Sequence, residues 1–185
     1  TDLSYDFDPD KAMSLMAEAG YDGTPLQLTI GTGRYPNDDL VGQALANQLQ
    51  AVGFNIELNV IDYASMRSQI SEAGGTTPFD MWMVGWSADD NVLTSMLLSL
   101  FAKDTAAYPM GYDNPEATAL LKSAAGTADP EKRSTDVKAA QRIIWDDAAV
   151  GFLYVPKQNI GVSKSLQGFE PRFDEYFFFW DASLS

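Results

Sequence analysis

Two carboxylates, Asp89 and Asp90, follow Trp86 by three and four residues, and they carry the clearest chemical possibility in the chain. The stretch reads Phe79-Asp80-Met81-Trp82-Met83-Val84-Gly85-Trp86-Ser87-Ala88-Asp89-Asp90. An aromatic face beside acid suits a small ligand with a cationic group. The ring attracts the cation through its quadrupole, and the carboxylate pairs with it. Six of the first eight residues are apolar, so the spacing predicts a short strand buried on both faces. Gly85 then lets the backbone turn or lie close to another group. In open α/β sheets, ligands sit beyond the carboxyl ends of strands, which is where Trp86, Asp89 and Asp90 would fall. The same residues also suit an ordinary strand exit into a helix, with Asn91 as a cap before Leu93.

The alternative use of the acid pair is a carboxylate hydrolase. Adjacent residues on an extended loop point apart, which makes the facing pair of a glycosidase hard to build from Asp89 and Asp90. A calcium loop is a further reading, but the alternating oxygen ligands and the glycine of that loop are missing. Two softer candidates lie elsewhere. Arg34, in the loop Gly31-Thr32-Gly33-Arg34-Tyr35-Pro36-Asn37, would pair with a ligand carboxylate or stand solvated. Tyr112, in Tyr112-Asp113-Asn114-Pro115-Glu116, would edge a cleft or pack its own loop. The glycines near Arg34 faintly suggest a phosphate loop, but no Gly-Lys-Ser/Thr follows.

Totals narrow the chemistry. The chain has 185 residues, no Cys and no His. That removes disulfides, thiolate zinc sites and thiol nucleophiles, and the His-based triads with them. A net charge of −14 argues against nucleic acid and anionic membrane surfaces as partners. The composition is 45% hydrophobic and 21% charged, as in ordinary globular domains, and no run of 18 apolar residues occurs.

The elements that must position these residues alternate. Asp8-Pro9 opens a helix that Gly20 stops. Leu26–Ile30 alternates as a strand. Asn37 or Asp38 starts a second helix ending at Gly53, and Phe54–Val60 alternates as a second strand. A short helix from Tyr63 to about Ser71 precedes the Phe79–Gly85 strand, expected to be central. Leu93–Phe101 is an apolar helix, and Asn114-Pro115 and Asp129-Pro130 open two more. Phe152–Pro156 reads as a strand, with Pro156 at its end or on an edge, and Asn159–Val162 as a second extended piece. The aromatic run Tyr176-Phe177-Phe178-Phe179-Trp180 cannot face one small core if extended, because alternate side chains point to opposite faces. It is covered on both sides, meets a missing partner, or serves as an interaction surface in its own right.

In this order the pieces resemble the second lobe of the bacterial solute-binding proteins of oligopeptide, dipeptide and nickel ABC importers (extracellular solute-binding family 5). The resemblance rests on Tyr5-Asp6-Phe7-Asp8-Pro9-Asp10-Lys11-Ala12, Ala17-Glu18-Ala19-Gly20-Tyr21, Gln43 to Gly53 with Asn55-Ile56-Glu57-Leu58, and Phe79-Asp80 with Gly85-Trp86. It continues through Tyr112 to Glu116, Ala140-Gln141-Arg142-Ile143-Ile144, Leu153-Tyr154 and Gly168-Phe169.

The resemblance implies an α/β, periplasmic-binding-protein-like lobe: a mixed sheet with parallel β-α-β units and helices on both faces. Residues 1–185 would form a single lobe of a two-lobe protein, with the first lobe absent from this chain. It implies binding without catalysis and without a cofactor, in a periplasmic or extracytoplasmic location (a cell-surface lipoprotein if the source is Gram-positive). The partners would be a peptide or small solute, an ABC transporter permease and the chain's own N-terminal lobe. Contact with the membrane would come only through the permease or an upstream lipid anchor. In peptide-binding members, the Asp three residues after the tryptophan pairs with the ligand's α-amino group, and here that position is Asp89. The family pattern Trp-x-x-Asp-Tyr-x-Asp-Pro is altered: Asp90 stands at the Tyr position, and the Asp-Pro pair appears as Val92-Leu93 or is displaced. That change leaves open a non-peptide solute such as an oligosaccharide, an opine or a metal chelate.

Overall fold

The structure, a computed structural model, describes residues 3–73, 76–87, 93–103, 110–157, 159–172 and 176–185. Helix α1 spans Pro9–Glu18, with the Asp8 carboxylate accepting the Lys11 N–H at 2.9 Å. Strand β1, Leu26–Thr32, leads into helix α2, Asp38–Ala51, and strand β2, Ile56–Asp62. Helix α3, Tyr63–Glu72, leads to strand β3, Met81–Met83.

These three strands form one parallel sheet in the order β2-β1-β3. The register pairs Leu28 with Leu58 and Met81, and Thr29 with Asn59 and Trp82. Because alternate residues face opposite sides, Leu28 and Ile30 pack with Ala46 and Leu49 of α2 on one face. The other face is covered by α3, whose Met66 and Ile70 are buried with Phe79 and against Ile61 and Trp82. The expected parallel β-α-β units with helices on both faces are therefore present. An antiparallel pair, β4 (Leu166–Gln167) with β5 (Ser183–Leu184), stands apart from them.

Helix α2 lies very close to the sheet at Gly42. A Cβ there would come within 2.5 Å of Ile30 Cγ1, and Ile30 is fully buried. Gly42→Val is therefore expected to overpack this contact and lower stability by about 1–3 kcal/mol, read by denaturant unfolding. An unchanged midpoint would mean that α2 can lift off the sheet at little cost.

The second half is helical. Helices α4 (Leu93–Phe101), α5 (Pro115–Gly126) and α6 (Pro130–Asp146) bury Leu97, Phe101, Leu121, Val137 and Ile144 among themselves. Asn114 accepts the N–H groups of Glu116 and Ala117, and Asp129 those of Glu131 and Lys132, so both Asx-Pro starts form as the spacing requires. Between α5 and α6, the nearly buried Asp136 accepts from Lys132 Nζ and Ser123 Oγ, each at 2.6 Å. These partners, Lys132 foremost, hold its carboxyl below the usual carboxylate range. A depressed folded-state pKa stabilises the fold above the unfolded-state value of about 4, and that stability is lost as pH falls through the folded value. Wild type should therefore melt above Asp136→Asn at pH 7, and the difference should shrink below about pH 4. A pH-independent difference in melting temperature would assign the effect to packing.

Three sequence expectations are corrected. The second strand begins at Ile56 rather than Phe54, because the Phe54 N–H closes the end of α2 on Leu49 O (3.1 Å). The Phe79–Gly85 strand shortens to Met81–Met83, is only half-buried, and lies beside β1 at the sheet edge rather than at its centre. Its flanks are diverted: Thr77 Oγ1 engages Phe79, and the Asp80 carboxylate accepts the Gln27 N–H at 2.8 Å. Phe152–Pro156 forms no strand. Phe152 instead stacks on Trp145 at 5.7 Å, while Val155 is 92% exposed.

The aromatic run is exposed along its length but ordered by its own alternation. Phe177 and Phe179 stack with Phe169 on one side. Tyr176, Phe178 and Trp180 stack on the other, with the Arg172 guanidinium 5.0 Å from the Phe178 ring.

Candidate functional site

The strand order places a crevice in the sheet. The chain passes from β1 to β2 on one side, then returns to put β3 on the other side of β1. The loops leaving the carboxyl ends of β1 and β3 therefore diverge at a topological switch point, where ligands bind in open α/β sheets. One loop carries Arg34 and Tyr35; the other carries Gly85 and Trp86.

The first loop is pinned from below. Asn37, at φ 59°, caps α2 with no side-chain bond, and Asp38 does the work instead. Its carboxylate is 4% exposed and accepts the backbone N–H groups of Arg34 (3.3 Å), Tyr35 (3.2 Å) and Asp39 (3.0 Å). Several donors at a helix N-terminus compensate the burial of that charge. Tyr35 packs edge-on to Tyr63 with ring centroids 6.4 Å apart, and the exposed Arg34 guanidinium lies 4.8 Å from its ring centroid.

The second loop meets the first at one point. The Gly85 N–H donates to Tyr35 Oη at 3.0 Å, and Tyr35 Oη donates back to Gly85 O at 3.3 Å. Gly85 permits this because a Cβ would sit 2.5 Å from that oxygen, so the close approach expected of Gly85 is to Tyr35. Trp86 follows, 36% exposed, with its indole N–H donating to Ser99 Oγ of α4 at 3.0 Å. Ser99 in turn donates to Met96 O at 2.8 Å.

Of the sequence candidates, Arg34 and Trp86 thus come to one edge of the sheet. Asp89 and Asp90 lie outside the described residues. Tyr112 is held elsewhere: its hydroxyl donates to Asp147 Oδ2 at 2.7 Å, beside Asn114 Nδ2 at 2.8 Å, and its ring stands edge-on to Phe101. Burial, then this bond to a carboxylate, raises its pKa, which keeps it a protonated donor. Tyr35 and Ser99 were not singled out from the sequence. The signal for Tyr35 was faint: an aromatic beside Arg34 in a glycine-rich loop just after a strand. Ser99 gave none, since a serine on an apolar helix is unremarked until its partner is known.

A concavity of about 400 Å³ lies by the end of α4, lined by Lys103, Asp113, Pro115, Thr118, Ala119 and Lys122. It is open, and Lys103 is ion-paired with Asp113. Among the described residues, no group of three or more His, Cys, Asp or Glu is placed to hold a metal ion. The sheet edge offers an aromatic wall and a cation, which is equipment for holding a solute.

Comparison with known proteins agrees with this architecture. The family description "Bacterial extracellular solute-binding proteins, family 5 Middle" matches residues 1–108. The glutathione-binding protein GsiB of Pectobacterium atrosepticum is 31% identical over 186 residues, covering 97% of this chain and 36% of the relative. The chain thus spans little over a third of that relative's length. The fold is that of the dipeptide-binding protein of Pseudoalteromonas sp. SM9913 in complex with Met-Leu, at TM-score 0.79 and 20% identity, over 100% of this chain and 37% of that one. It is also that of the oligopeptide-binding protein AppA of Bacillus subtilis in complex with a nonapeptide, at TM-score 0.77 and 20% identity, over 100% and 41%. With the family match covering more than half of its residues, the chain belongs to the bacterial extracellular solute-binding proteins of family 5.

Proposed function

We propose that this chain is one lobe of the substrate-binding component of an ABC importer. It captures a peptide, or a similar small polar solute with a free amino group, in a cleft between two lobes and delivers it to the membrane permease. The observation that carries this reading is that a glutathione-binding relative matches 97% of the chain. Trp86 forms an aromatic wall of the cleft and Arg34 meets a solute carboxylate. Asp89, three residues beyond Trp86, pairs with the solute ammonium, and Asp90 adds negative potential beside it. Tyr112 supports the cleft only from a distance, bracing α4 through its packing on Phe101. The component binds without catalysing a reaction and works outside the cytoplasm, touching the membrane only through the permease or a lipid anchor carried upstream.

The partner of the aromatic run is the chain's own first lobe. Tyr176–Trp180 exposes both of its stacked faces, and an apolar surface of that kind is ordinarily covered. The relative's length leaves ample chain to supply the cover.

Native mass spectrometry of the full-length protein, purified gently from cell extract, tests the ligand class. Co-purified masses that fragment as peptides are expected. A single non-peptide mass would keep the receptor and retire the peptide. Turnover of glycosides or amides by the purified protein would overturn the binding-only reading.

A further inference from the structure

We propose that Tyr35 is a positioning residue of this site: its hydroxyl latches Gly85 across the switch point and thereby sets the orientation in which Trp86 meets the solute. This rests on the solute-binding reading for its use, but not for its existence in the unliganded protein.

Strand β3 pairs with β1 only as far as Ile30 opposite Met83. Beyond that pair the two backbones separate, and the Gly85 amide and carbonyl have left the ladder. Tyr35 Oη supplies both missing partners, accepting from Gly85 N at 3.0 Å and donating to Gly85 O at 3.3 Å. One side chain thus does the work of the next rung of the sheet. Gly85 has no Cβ to fill the space that the hydroxyl occupies.

Trp86 is the next residue, so its backbone direction follows from that rung. Its ring is held separately by Ser99 on α4. Two anchors on two different elements define one indole. Tyr35 is itself immobilised: its N–H is held by the buried Asp38 carboxylate, its ring packs on Tyr63, and Arg34 covers it. The latch therefore makes the cationic loop and the aromatic wall a single preorganised unit. Binding to such a unit avoids the cost of ordering its side chains when the solute arrives.

The experiment compares full-length wild type with Tyr35→Phe, which keeps the ring and removes the latch, and with Gly85→Ala, which keeps the hydroxyl and blocks it. In the unliganded protein, both variants should lose amide-exchange protection near Gly85 by about tenfold and shift the indole N–H resonance of Trp86, assigned with Trp86→Phe. Ser99→Ala should shift the same resonance while Gly85 protection persists. Thermal midpoints of Tyr35→Phe and wild type should stay close, since a change confined to one partly exposed hydroxyl does not disturb the core. Affinity for the probes glutathione and Met-Leu should fall by about three- to tenfold in Tyr35→Phe. Unchanged Gly85 protection or an unshifted Trp86 resonance would overturn the latch. A shifted resonance with unchanged probe affinity would overturn its role in the site. Should wild type bind neither probe while Gly85 protection still falls in the variants, the latch stands and the peptide reading is the one that fails.

Discussion

Asp89→Asn in the full-length protein is expected to weaken binding of a peptide with a free amino terminus by about 2–5 kcal/mol, at least thirtyfold in Kd. The size follows from where the charge would be needed. A cleft that closes over its solute expels water, and an ammonium inside it loses its hydration. A carboxylate repays that loss with a hydrogen bond between opposite charges, where an amide oxygen offers a hydrogen bond without the counter-charge. Asp89 is the first acid after Trp86, whose ring and backbone are fixed from α4 and from Tyr35. The control is an N-acetylated copy of the same peptide, titrated calorimetrically against both proteins. Wild type should bind it poorly, and Asp89→Asn should bind it no worse than wild type does. If the substitution weakens both peptides equally, Asp89 shapes the loop rather than pairing with the ammonium. If it weakens neither, Asp89 leaves the site, and Asp90 becomes the acid to test.

Phe101→Ala is expected to cost about 3–5 kcal/mol of stability, the range for emptying a buried phenylalanine site. Phe101 is 2% exposed and joins α4 to the shared core of α5 and α6, with Tyr112 edge-on to its ring at 5.9 Å. Among the described residues, the helical core and the two cores on the sheet faces share no buried residue. The loss should therefore fall unevenly. Hydrogen exchange should show amides of α4 to α6 exposed first, while Leu28 and Ile30 in β1 keep their protection. Ser99 rides on the same helix, so the Trp86 indole should loosen with it. A loss below about 1 kcal/mol would mean that the helices collapse around the vacancy. Uniform loss of protection would mean that the sheet and the helices unfold as one unit.

Legibility differed by element for a physical reason. The starts of α1, α5 and α6 were readable because a cap and the proline after it act within one turn: Asp8-Pro9, Asn114-Pro115 and Asp129-Pro130 all behave as local chemistry requires. Leu26–Ile30 was readable because its alternation puts Leu26, Leu28 and Ile30 on the one face that packs against α2. The Phe79–Gly85 run misled because apolar content reports burial and not pairing. Phe79 is buried against α3 while only Met81–Met83 joins the ladder. Phe152–Val155 misled in the same way, since β-forming residues make a strand only where a neighbour offers its edge. At the site, Trp86 and Arg34 could be named from residue type, but not their joining.

By itself, then, the order of residues determined the α/β class, the helix starts and the exclusion of thiol and histidine chemistry. Each depends on composition or on contacts a few residues apart. The tertiary structure alone decided the strand order β2-β1-β3, the crevice it opens, and the meeting of Tyr35 with Gly85 across 50 residues. Strand order is a choice among non-local pairings that leave the same local periodicity, so no pattern along the chain distinguishes them. A hydroxyl that replaces a rung of the sheet becomes visible only once the sheet has been built.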